Sequence, residues 1–144
     1  MNLQASYFSI TNPLDIFDRW LNPYRHNVTS RFRGKNIKVA WTQRAEYALS
    51  LRTTALIVEM QIYFSCVVKK RVLFHEQLNM ELLPITDKIS IISRAVQSDT
   101  CSAEEFARNY PVKRELTSEA ATKMRPRLLQ IDYVNQQWLG DFSI

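Results

Sequence analysis

The chain has 144 residues, 46% of them hydrophobic and 23% charged, with a formal net charge of +5. That suits one domain able to bury roughly two-thirds of its unfolded surface without a staple, and it excludes global disorder. With only Cys66 and Cys101 a disulfide scaffold is excluded, and with only Gly34 and Gly140 so are a P-loop and a dinucleotide fingerprint, which need clustered glycines.

Met1–Ile10 has no basic n-region or apolar h-region, so no signal peptide is expected. Asn12-Pro13-Leu14-Asp15 opens a helix. Asn12 can cap, Pro13 suits the first helical position, and Asp15 suits the positive end of the dipole. Leu14, Phe17 and Leu21 recur at helical spacing with Ile16 and Trp20 nearby, and Pro23 stops the helix.

A hairpin follows, with a Gly-first turn placed at Gly34-Lys35. It pairs Arg33 with Asn36, Phe32 with Ile37, Arg31 with Lys38, Ser30 with Val39 and Val28 with Trp41. One face collects Val28, Phe32, Ile37, Val39 and Trp41, and the other collects Arg31, Arg33 and Lys38. Arg44–Arg52 has both alternation and helix formers, and the alternation of Ala45, Tyr47, Leu49 and Leu51 favours a strand.

The longest pattern runs through Ala55–Phe74. Val58, Met60, Ile62, Phe64, Cys66 and Val68 take the even positions, and Glu59, Gln61, Tyr63 and Ser65 the odd ones. Val72 and Phe74 keep the even parity. This is a strand of period two, too long to run unbroken, so a bend or turn is expected at Lys69–Arg71. Its most apolar part, Ala55–Val68, is shorter than the ~20 residues of a membrane span. A cytoplasmic protein with no membrane partner is therefore expected.

Gln77–Leu83 reads as a short helix ended by Pro84, and Ile89–Val96 as a strand. Ser102-Ala103-Glu104-Glu105 is a capping box that opens a helix closed by Pro111, and Thr117 or Ser118 caps another piece ending before Pro126. The chain closes on a hairpin with its turn at Asn135-Gln136. That turn pairs Tyr133 with Trp138 and Leu129 with Phe142, and leaves Asp132 and Asp141 on the opposite face. With no repeat or linker, residues 1–144 form one α+β domain. Its expected architecture is a mostly antiparallel sheet of about five to seven strands, with two or three helices packed on one face.

The positive charge is local. Arg19–Arg44 holds seven basic residues and no acidic one, which leaves 12 basic against 14 acidic residues elsewhere. Arg31, Arg33, Lys35 and Lys38 thus form a candidate surface for nucleic acid or another polyanion, whose phosphates they would neutralise. The hairpin register turns Phe32 and Trp41 away from that face, which also fits an ordinary solvated surface. Glu59, Gln61, Tyr63 and Ser65 form the second candidate. A covered face would make them a polar ligand site, whereas antiparallel sheets commonly leave one face wet.

No metal or cofactor is expected. His26 and His75 are the only histidines, and neither a His-Glu-x-x-His nor a Cys-x-x-Cys motif occurs. A phosphatase-type Cys-x5-Arg loop is also missing: six residues separate Cys101 from Arg108, and four separate Cys66 from Arg71. Cys101 precedes a predicted helix start, which makes it the better candidate for a reactive thiol, while Cys66 reads as core. The leading reading is a non-enzymatic binding or interaction module. Beside it stand a nucleic-acid-associated protein using the basic hairpin and a small-molecule enzyme using Glu59, Gln61 and Tyr63. A homodimer through an edge strand is compatible with so open a sheet.

Overall fold

A computed structural model describes residues 13–64, 68–97, 114–115 and 125–144. In chain order the elements are helix α1 (Pro13–Leu21), strands β1 (His26–Phe32) and β2 (Lys35–Trp41), helix α2 (Gln43–Ser50), and strands β3 (Leu56–Phe64), β4 (Val68–His75), β5 (Leu83–Pro84), β6 (Ile89–Gln97), β7 (Arg114–Glu115), β8 (Leu128–Val134) and β9 (Gln137–Ser143). The class is α+β, but the strands do not form the single mostly antiparallel sheet expected. They form two mixed sheets, and the helices among the described residues are two short ones.

The first sheet has the order β1-β2-β8-β9, and the second the order β4-β3-β6-β5, with β7 also paired to β6. Each sheet contains one parallel pair, β2 with β8 and β3 with β6. Tight turns announce hairpins in a sequence. A parallel pair is joined through a long crossover and leaves no local signal.

The first hairpin turns at Arg33-Gly34, one residue earlier than predicted, so Phe32 pairs with Lys35, Ser30 with Ile37 and Val28 with Val39. Both turn residues have positive φ, 51° and 82°. This is a type I′ turn, which places glycine second rather than first. The partners shift by two residues, so side chains within the two strands keep their predicted faces, while Arg33 passes from the basic face into the turn. Arg31 now faces Asn36, and Lys38 faces Thr29, so the expected like-charged pair does not form. The last hairpin has the predicted turn and register, including Tyr133 opposite Trp138 and Leu129 opposite Phe142.

Three local expectations are corrected. The long run is two antiparallel strands, β3 ending at Phe64 and β4 beginning at Val68, and Lys69-Lys70-Arg71 lies inside β4. Met60 opposes Val72 and Val58 opposes Phe74, so both strands keep one apolar face. Arg44–Arg52 is not a strand: α2 fills most of it, because Thr42 caps the helix by accepting a hydrogen bond from the Ala45 amide at 3.2 Å. Ala45, Ala48 and Leu49 bury the helical face, and their spacing outweighs the alternation. Residues 77–82 form no helix and lead instead into β5. The helices predicted from Ser102 and from Thr117, the Asn12 cap, Ser65, Cys66 and Cys101 lie outside the described residues.

The core sits between the sheets. Ile37, Val39, Trp41, Leu129, Ile131 and Phe142 from the first sheet belong to one buried cluster with Leu56, Val58, Met60, Ile62, Ile89 and Ile91 from the second. Each such aliphatic side chain contributes about 1.5–3 kcal/mol on burial. The sheets approach closely at β9 and β4: a Cβ added to Gly140 would lie 2.8 Å from Val72 Cγ1 and 3.0 Å from Phe74 Cζ. A side chain on Gly140 would force these strands apart.

Candidate functional site

With the even positions of β3 committed to the core, Ile57, Glu59, Gln61 and Tyr63 lie on the outer face of the second sheet. That face is covered. Glu59 is only 2% exposed, and Gln61 and Tyr63 are buried beside it. Glu59, Gln61 and Tyr63 therefore do not form the wet face that antiparallel sheets commonly leave. A strand buried on both faces usually reads as a continuous apolar run, and β3 alternates instead because its outer face buries a polar cluster.

Pairing explains how the cluster assembles. β4 places Leu73 beside Glu59 and Arg71 beside Gln61, and β6 places Ile92 beside Glu59 and Arg94 beside Gln61. Glu59 is thus flanked by two apolar residues, and it draws cross-strand partners from the diagonal positions His75 and Arg94, within reach of long side chains. His75 Nε2 donates to Glu59 Oε1 at 2.7 Å, and Arg94 Nη1 donates to Oε2 at 3.1 Å. Gln61 Nε2 also donates to Oε2, at 2.5 Å, while its own Oε1 accepts from Arg71 Nε at 2.7 Å. Gln61 therefore relays a hydrogen bond from Arg71 to Glu59, which fixes the orientation of its amide.

Burial alone would raise the Glu59 carboxyl. Hydrogen bonds from Gln61 and His75, with the charge of Arg94, outweigh that penalty and hold it below the ordinary carboxylate value. Glu59 is therefore an anion at neutral pH. His75 and Arg94 remain partly exposed above it.

Of the predicted polar row, the structure brings Glu59, Gln61 and Tyr63 together, and Ser65 falls outside the described residues. Tyr63 packs against Val96. His75, Arg71 and Arg94 were missed as members. The signal for the first two was parity: they share the odd positions with Glu59 and Gln61 once β4 folds back on β3. For Arg94 no local signal existed, because β6 joins β3 in parallel.

Arg31, Arg33, Lys35 and Lys38 of the basic hairpin are all exposed. Arg33 also donates from Nη2 to the Ser93 carbonyl at 2.9 Å, with its guanidinium 4.8 Å from the Phe32 ring centre. Trp41 is buried in the core, and its indole N–H donates to Glu46.

A second polar network lies on the outer face of the first sheet. The buried Asp132 accepts hydrogen bonds from the Thr42 hydroxyl at 2.7 Å, from Arg44 Nε at 2.8 Å and Nη2 at 2.7 Å, and from Arg19 Nη2 at 3.0 Å. Arg44 also reaches Asp18. This network ties α1 and α2 to β8, and Asp132 at its centre is enclosed by donors.

Among the described residues no group of three or more His, Cys, Asp and Glu side chains gathers to hold a metal ion. No helix among them is long and apolar enough to cross a membrane. Comparison of the chain with protein-family models, with curated proteins and with solved structures found no match.

Proposed function

We propose that the protein is a ligand-binding domain that holds a small polar molecule on the outer face of its second sheet, over the Glu59 cluster. The observation that carries this reading is a charged carboxylate buried on the face turned away from the apolar core, with His75 and Arg94 partly exposed above it. Core strands do not need such a group, and a buried ion pair contributes little net stability compared with apolar packing. A few convergent polar groups on a covered face are, however, what orients a small ligand.

Imidazole and guanidinium N–H groups are donors, so the ligand is one with oxygen acceptors, such as a small carboxylate or phosphate. Binding suits this cluster better than turnover. A carboxylate held below its usual range and enclosed by three donors is a poor general base and a poor general acid at neutral pH.

The test is a thermal-shift screen of the full chain against small carboxylates and phosphates, with native mass spectrometry on the hits. A saturable rise in Tm that is lost in Arg94→Gln and in His75→Ala, both still folded by circular dichroism, supports the reading. No shift and no retained mass across the panel overturns it.

A further inference from the structure

Helix α1 is mounted with its polar side inward. Arg19 and Asp18 reach toward the body of the protein: Arg19 pairs with Asp132 at 3.0 Å, and Asp18 pairs with Arg44 at 2.9 Å. Asn22, just past the helix, folds back onto Asp18. Ile16, Phe17, Trp20 and Leu21 occupy the opposite side, and they are between 56 and 76% exposed. At 100° per residue these four span one continuous stripe. A surface helix ordinarily does the reverse, burying its apolar stripe and showing water its charges.

We infer that this stripe lies in the interface of an anionic lipid surface. Three observations favour lipid. The first is the side-chain chemistry: tryptophan, phenylalanine and branched aliphatics on one side of a short helix are what an interfacial helix inserts at headgroup depth. The second is charge. Asp132 lies on the outer face of the first sheet, between the inward-facing Ile131 and Tyr133, so α1 docks on that outer face. Lys38 projects from the same outer face, being exposed between the buried Ile37 and Val39. Arg31 and Arg25 are exposed nearby in sequence, on β1 and on the link from α1 to β1. Two of the carboxylates at this joint, Asp18 and Asp132, are already paired with arginines. The apolar stripe is therefore accompanied by exposed cations that suit acidic headgroups.

The third observation is area. Since an aromatic side chain offers 150–250 Å², the four exposed residues present on the order of 500 Å². That is less than the ~800 Å² per partner of a standard interface between two proteins. It is enough for a lipid contact, in which apolar insertion and headgroup attraction act together. Among the described residues no helix is long and apolar enough to cross a membrane, and a helix lying on the bilayer needs no such span.

The test uses the full chain with sonicated vesicles of phosphatidylcholine and phosphatidylserine in equal parts, and with vesicles of phosphatidylcholine alone. Trp20 is exposed whereas Trp41 is buried, so insertion reads as a blue shift of tryptophan emission. The protein is expected to co-sediment with the mixed vesicles, more weakly at high salt and more weakly with phosphatidylcholine alone. Phe17→Ser with Trp20→Ser removes most of the inserted aromatic area and is expected to lower partitioning at least about tenfold while leaving the thermal unfolding curve unchanged. Lys38→Glu with Arg31→Glu is expected to weaken binding to the mixed vesicles only. Failure to sediment with either vesicle overturns the inference, as does equal partitioning by the Phe17/Trp20 variant. Self-association that the same variant abolishes, without vesicle binding, assigns the stripe to a second copy instead and also overturns it.

Discussion

Arg44 grips Asp132 with two parallel hydrogen bonds, Nε to Oδ1 at 2.8 Å and Nη2 to Oδ2 at 2.7 Å. Its remaining reach goes to Asp18 on α1, at 3.1 and 2.9 Å. One guanidinium therefore fastens the first turn of α2 to both β8 and α1. Thr42 reinforces the joint, since its hydroxyl accepts from the Ala45 amide to cap α2 and donates to Asp132. Removing the charge of Asp132 leaves Arg44 and Arg19 facing an amide that cannot satisfy them. Asp132→Asn is expected to lower stability by about 3 kcal/mol, as breaking one side of a buried pair does. Arg44→Lys should come close to it, because an ammonium cannot make the fork. Urea unfolding followed by circular dichroism measures both, and unchanged midpoints would show that the joint does not hold the fold.

The same carboxylate sets an acid limb. Burial alone would raise the Asp132 carboxyl, but the bonds from Arg44, Thr42 and the Tyr133 amide, with the Arg44 charge, bring it from 3.8 down to about 2. The unfolded chain therefore takes up this proton at higher pH than the folded protein does. Asp132 contributes stability that is complete above about pH 5 and is lost as the pH falls through 2, worth about 2 kcal/mol. The melting temperature should drop across that window in the native chain, and drop less in Asp132→Asn. Parallel acid limbs in the two proteins would show that Asp132 is not the group responsible.

What the sequence revealed about the fold was governed by distance along the chain. Asn135-Gln136 and the alternation around it specified the last hairpin completely. Around Gly34 the turn was misplaced by one residue, yet the faces survived, because a two-residue shift of partners preserves a period-two pattern. The pairing of β2 with β8 joins residues ninety positions apart, and no local residue choice encodes it. Leu49 in α2 shows the complementary failure, where a short segment satisfied both periods and only the Thr42 cap and burial decided between them.

At Glu59 the sequence identified the residue and misjudged its setting. Strict alternation looked like one wet face, whereas the outer face is buried and Glu59 is held by Gln61, His75 and Arg94. Glu59→Gln keeps the shape and removes the charge. It is expected to destabilise the protein by about 2 kcal/mol, since Arg94 is left beside a neutral amide in a partly buried site. A Glu59→Gln, Arg94→Gln double variant tests the coupling: a loss well short of the sum of the two single losses is expected if the pair acts as a unit. Additive losses would place the two residues in separate environments.

The two hairpin turns make the last prediction, because they share a geometry and differ in what their side chains do. Asn135 and Gln136 have φ of 52° and 64°, and Arg33 has φ of 51°. Holding a non-glycine residue in this left-handed region costs about 1–2 kcal/mol. Gln136 is exposed at the second turn position, where type I′ turns favour glycine. Gln136→Gly should relieve the backbone, and the greater freedom of glycine in the unfolded chain returns only part of the gain, for a net stabilisation of about 0.5 kcal/mol. Arg33→Asn offers similar relief at the first turn, but it forfeits the bond to the Ser93 carbonyl and the contact with Phe32. It should therefore give no gain. Guanidinium unfolding midpoints of the two variants, measured side by side, decide the matter: a rise for Gln136→Gly alone means that Arg33 keeps its strained turn because its side chain ties the first hairpin to β6.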